Sequence, residues 1–259
     1  MLISVLNRTR TLSGADVHRA VRAINRQFAE DFEPHWQFGA RLRLDGAEER
    51  DHHDDAGERI STSRLPGRRG DGVIYLLDEA SIADAEGYHD RNADDVPYGF
   101  VFLDVCRKTE DSQDGWTIAL SHEAIELAGD PMNNLLVQGP HPGDGRHLVF
   151  HMFELCDAVQ DEHYELDGVK VSNFVLPGYF TRGNAPDGRN DFLGRRKRGQ
   201  ILPSFGVAPG GYLCYYDADL PEGRKWHAYF HAEDEKARLR LDAKQTAGHG
   251  RIERRRKKP

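Results

Sequence analysis

Over residues 13–31, Val17, Val21, Ile24 and Phe28 recur at helical spacing, with Ala20 on the same face, which predicts a helix. Ser13 followed by Asp16 is a variant of the capping box and places its start. Residues 38–44 alternate apolar and polar as a strand does, and residues 72–77 read as a second strand. Between them, residues 46–71 are dense in Asp, Glu, Arg, His and Gly and are expected as a long exposed loop. Residues 87–92 read as a polar turn, residues 97–105 as a strand and residues 109–115 as a turn. A helix is predicted over residues 116–131, with Trp116, Leu120, Ala124 and Leu127 on its packed side and Pro131 as its stop. Residues 140–147 form a Gly/Pro/His loop, 151–160 an apolar-acidic stretch, and 169–180 a strand-like stretch ending at Pro177-Gly178. Residues 181–200 are expected as an exposed excursion, and a turn at Pro209 leads into a strand whose partner is residues 226–230. The pattern predicts an α+β fold: a mixed twisted sheet, an N-terminal helix packed on it, and the second long helix following the 97–105 strand. One domain is expected over residues 1–232, with a charged segment over 233–259.

Composition narrows the function classes. The chain has 259 residues, 38% of them hydrophobic and 30% charged, a length that suits one large domain or two small ones. No apolar run approaches the ~18–20 residues of a membrane span, so no membrane partner is expected. The N-terminal charges follow the apolar residues, the reverse of a secretory signal, so a cytoplasmic location is expected. Cys106, Cys156 and Cys214 are odd in number and form no CxxC pair, which predicts free thiols rather than a disulfide scaffold or thiolate zinc site. Residues 251–259 carry a net charge of +5 on a chain whose total is −8. Such a tail can make weak contacts with nucleic-acid backbones or acidic surfaces, while the acidic remainder disfavours a sequence-specific nucleic-acid reader.

The chemistry concentrates in Ser121-His122-Glu123-Ala-Ile-Glu126-Leu-Ala-Gly-Asp130-Pro131. On a helix, His122 and Glu126 are one turn apart on one face and can share a cation. Glu123 is adjacent and can reach the same volume from the side. This is the logic of the H-E-x-x-H helix of zinc hydrolases, with a carboxylate in place of the second imidazole. A third ligand is needed. Glu154 is one source: if residues 153–157 are helical, Glu154 and Asp157 share a face. Glu154 then completes the set, and Asp157 accepts a hydrogen bond from the remaining ring N–H of His122. Asp130 is the alternative ligand, although its place before Pro131 equally suits a helix end. His52-His53 beside Asp54-Asp55 is a weaker metal candidate, His89 reads as a hydrogen-bonded turn residue, and Tyr164 or Tyr179 could serve an oxyanion. No phosphate-binding P-loop and no G-x-S-x-G nucleophile motif is present.

The Ser-His-Glu-x-x-Glu-x-x-x-Asp-Pro motif with the later Glu-x-x-Asp resembles an uncharacterised family of zincin-like metallopeptidase-type proteins of bacteria and their phages. The resemblance includes Gly87-Tyr-His-Asp, Pro97-Tyr-Gly-Phe-Val-Phe, the stretch from Gly168 to Pro177, and Pro209-Gly-Gly-Tyr, and so covers roughly residues 15–230. More remotely the motif is similar to exordium-like secreted proteins and to the gluzincin peptidases. The resemblance implies a zincin-like fold and a zinc ion held by His122, Glu126 and Glu154. It implies Glu123 as general base, Asp157 as the acceptor behind a ligand, and a peptide or protein substrate. A different class, a non-catalytic metal-stabilised module such as a phage virion or assembly component, is the alternative. Glu126 in place of a histidine leaves a bound ion less positive, which weakens activation of its water.

Overall fold

The computed structural model describes residues 1–46, 62–80, 85–109, 114–143, 145–183, 188–194, 201–221 and 225–230. The expected His52-His53 candidate and the charged segment over 233–259 lie outside the described residues, as does most of the predicted 46–71 loop. The chain divides into two compact units, one of residues 1–133 and 165–171, the other of residues 134–164 and 172–259. Helices and mixed sheet together make an α+β fold.

The first unit is built on a five-stranded sheet of β1 (Leu2–Asn7), β2 (Arg41–Asp45), β3 (Gly72–Leu77), β4 (Gly87–Arg91) and β5 (Pro97–Phe102). Their order is β2-β1-β3-β5-β4. The first four pair in parallel, and β4 runs antiparallel along β5 at the edge. Two findings differ from the sequence reading. The N-terminal residues form an inner strand, β1, whose four central residues are buried. Residues 87–91, read as a turn, are strand β4.

Helix α1 (Gly14–Arg26) begins where the pattern predicts: the Ser13 hydroxyl accepts the Asp16 amide, and Asp16 accepts the Ser13 amide in return. It runs on through a π-helical turn (Gln27–Phe32) into the short α2 (Glu33–Trp36). Asn25 ties it to the sheet, donating to the Leu42 carbonyl and accepting the Leu42 amide. The expected 97–105 strand ends at Phe102, where α3 (Leu103–Thr109) starts. Helix α4 (Gly115–Gly129) follows and packs on β3, β4 and β5. Every residue from Gly115 to Leu127 is buried, as expected of a helix that is apolar nearly all round. On the other side of the sheet, Tyr75, Tyr98, Phe100 and Phe102 form an aromatic core with Leu6 and Leu65. Leu65 thus anchors the described end of the loop expected to be exposed.

The second unit holds an antiparallel sheet of β6 (Leu136–Pro140), β7 (Leu148–Met152), β10 (Leu213–Tyr216) and β11 (Trp226–Tyr229), in the order β11-β10-β7-β6. The strand period shows in β10. Leu213 and Tyr215 join Val149 and Val207 in one cluster, while Cys214 joins Met152 and Tyr212 in another. The strand-like stretch 169–180 resolves into β9 (Val169–Ser172), which pairs with β8 (His163–Leu166), and a 3₁₀ turn (Pro177–Phe180). The expected excursion over 181–200 is not exposed throughout. Asn190 and Asp191 are buried, Asn190 donating to the Leu202 carbonyl and Asp191 accepting from Asn173, and Phe192 stacks on Phe174.

Candidate metal centre

Helix α4 delivers His122, Glu123 and Glu126 to the face of the first sheet near its β4 edge. Strand β4 alternates around this face. Tyr88 turns toward the aromatic core, where it packs on Phe100, whereas Gly87 and His89 turn toward α4. His89 lies opposite Gly99 of β5. Gly87 leaves room for Glu123. A Cβ at residue 87 would lie 2.7 Å from the Phe100 carbonyl oxygen and 3.0 Å from a Glu123 carboxylate oxygen.

His122 and His89 both approach Glu126. His122 Nε2 is 3.2 Å from Glu126 Oε2, and His89 Nδ1 is 3.5 Å from the same oxygen. His89 Nδ1 is also 3.0 Å from Glu123 Oε2, a hydrogen-bonding distance. All four residues are no more than 5% exposed. Two carboxylates in such an enclosure carry a large desolvation cost unless cationic groups compensate them. Ligand atoms at ~2.1 Å around a tetrahedral ion stand about 3.4 Å apart. The two nitrogens beside Glu126 Oε2 bracket that spacing.

His89 is the residue that the sequence reading did not include. It is hydrogen-bonded as expected, but from a strand rather than a turn. The available signal was the alternation of Gly87 and His89 with Tyr88 and Asp90, masked by the polarity of the segment. Asp90 itself accepts from the Tyr98 hydroxyl and from Asn133.

Asp130 is the C-cap of α4, its amide donating to the Glu126 carbonyl and its carbonyl accepting the Asn133 amide. It therefore has the helix-ending role. Glu154 and Asp157 belong to the second unit and are buried there. They do not share a helix face: residues 153–156 are irregular, and Asp157 opens a 3₁₀ turn (Asp157–Val159). Glu154 and Asp157 line a small cavity of that unit with Tyr179, Phe180, Tyr212 and Cys214. Gly211 lies against this turn, since a Cβ there would sit 2.3 Å from the Ala158 carbonyl oxygen. The Tyr179 hydroxyl donates to the Gly206 carbonyl, and burial holds its pKa well above the ordinary value. Tyr179 is thus a neutral, engaged group, and Tyr164 packs its ring on Phe192. The three cysteines are buried and form no disulfide among the described residues.

The fold and these residues define an α+β protein with buried groups that can hold a metal ion. Comparison with protein-family models, curated proteins and solved structures finds no match. Among the described residues, no helix is long and apolar enough to cross a membrane.

Proposed function

We propose that the first unit carries a divalent metal, zinc by its donor set, and that the protein is a metal-dependent hydrolase acting on peptides or proteins. The observation that carries this reading is Glu126 Oε2 set between His122 Nε2 at 3.2 Å and His89 Nδ1 at 3.5 Å in a buried enclosure. His122 and Glu126, one helical turn apart, are the groups that would hold the ion. His89 stands beside Glu126, and its Nδ1 is hydrogen-bonded to Glu123. A zinc ion supplies Lewis acidity, polarising a carbonyl and acidifying a water. Glu123 accepts the proton from the attacking water, and its carboxylate is positioned for this by His89 on one side and the bare backbone of Gly87 on the other.

The test pairs metal analysis of the purified chain with peptide-library cleavage by wild type and Glu123→Gln. The expected result is unchanged metal content with cleavage reduced roughly 10²–10⁴-fold. Equal cleavage by both proteins refutes the general base. Metal in both with cleavage by neither makes the site a structural one, and the module reading then replaces the hydrolase. The sequence expectation that Glu154 contributes a ligand is tested in the same series, by the metal content of Glu154→Ala.

A further inference from the structure

The second unit carries another grouping of metal-ligating side chains that the proposed hydrolase does not use. His141 and His147 flank the turn between β6 and β7, with the His141 amide donating to the His147 carbonyl across its mouth. That closure places the two imidazoles side by side, stacked with centroids 4.6 Å apart. Asp217 follows β10, whose residues Tyr215 and Tyr216 pair with His151 and Phe150 of β7, so the sheet register carries Asp217 toward the same turn. Its carboxylate meets His147, with Asp217 Oδ2 and His147 Nε2 3.0 Å apart, and its other oxygen accepts the Asp219 amide at 3.0 Å. His141 is oriented by the Gly143 amide at Nδ1 and by the Tyr215 hydroxyl, 3.1 Å from Nε2.

We propose that His141, His147 and Asp217 form a second metal site, selective for a divalent late-transition ion such as zinc or cobalt. One donor atom from each of the three residues lies within 4.8 Å of the others. Bonds of roughly 2.0–2.2 Å require the donors to close in by side-chain rotation, with His141 exchanging its hydrogen bond to the Gly143 amide or to the Tyr215 hydroxyl for the ion. Two imidazoles and one carboxylate suit these ions better than magnesium or calcium, which prefer all-oxygen shells. The access differs from that of the buried α4 cluster. Asp217 is enclosed, with its side chain 6% exposed, whereas the His147 side chain is 37% exposed. An ion can therefore enter from solvent and keep water on its open positions. Bound there, it ties the β6–β7 turn to the end of β10, which makes the site a clip within one unit and independent of the α4 helix.

The experiment uses the full chain, stripped with chelator, reloaded with Zn²⁺ or Co²⁺, dialysed and analysed for metal. His147→Ala and Asp217→Asn are expected to lose one equivalent relative to wild type, or to bind it at least about tenfold more weakly. His122→Ala is expected to keep that equivalent. If instead His122→Ala binds as wild type does while His147→Ala loses an ion, the α4 centre fails and the clip stands. If His147→Ala and Asp217→Asn both retain wild-type stoichiometry and affinity, the clip is overturned. Imidazole ¹⁵N resonances of wild type, followed during Zn²⁺ addition, give a reading that requires no variant to fold. Movement of the His141 and His147 signals supports the site, and their constancy at saturating Zn²⁺ refutes it.

Discussion

At the scale of single residues, Glu123 depends on a glycine. Gly87 approaches both the Phe100 carbonyl and the Glu123 carboxylate so closely that a methyl group must displace one of them. Gly87→Ala is therefore expected to cost about 1–3 kcal/mol of stability through overpacking. The displaced carboxylate should lower hydrolysis more than metal content, as urea unfolding, cleavage assays and metal analysis on one preparation will show. Wild-type stability and cleavage in Gly87→Ala would mean that the close approach has no role. His151 supplies a separate test in the second unit. Burial pulls its imidazole down to about 4, against the raising effect of the hydrogen bond to the Pro140 carbonyl. The folded pKa lies below the unfolded value, so the unfolded chain binds the proton more readily. The resulting stability is complete above about pH 6.5 and declines as pH falls toward about 4, by roughly 3 kcal/mol in all. Urea unfolding at pH 7 and pH 5 should show roughly 2 kcal/mol of this loss in wild type and a smaller loss in His151→Phe. Identical losses in the two proteins would remove His151 as the cause.

At the scale of elements, α1 and α4 were legible in the sequence because their signals are local. Ser13 and Asp16 close the capping box that their spacing predicts, and Ser13→Ala should destabilise the fold by about 1 kcal/mol in thermal or urea unfolding. No change would show that the exposed cap contributes nothing. The His122–Glu126 pair was legible for the same reason, since one helical turn fixes their common face. The continuation of α1 through a π-helical turn had no such signal. There Gln27 is buried and accepts a hydrogen bond from Ser121, the residue before His122, a pairing 94 positions apart in sequence. Strand β4 was lost for a related reason. Its buried polar residues, His89 and Asp90, are satisfied by α4, Tyr98 and Asn133, so its polarity mimics that of a turn. The stretch around Glu154 had only a conditional helix expectation, and that condition is not met: the Leu155 carbonyl accepts the Val175 amide instead.

At the scale of the whole molecule, the α+β class follows from the mixture of periods 2 and 3.6 along the chain, and the sheet orders do not. Strand β1 pairs with β2 and with β3, which begins 65 residues after β1 ends. Only the folded chain reveals that the first residues lie inside a parallel sheet, where β5 is buried on both faces. The second unit likewise returns to β7 through β10 after the long stretch that contains residues 173–212. The chain's formal charge of −8 is far enough from zero to favour solubility at neutral pH, and it adds a general attraction for a divalent cation that high salt should screen. The proposed ligation by His122 and Glu126 is separable from that attraction, because it depends on donor atoms rather than net charge. The most direct measurement is the metal content of the purified full chain, wild type against His122→Ala, after dialysis at high salt. The account predicts that His122→Ala loses one equivalent of zinc that wild type and Glu123→Gln both retain. Equal metal content in wild type and His122→Ala would contradict it.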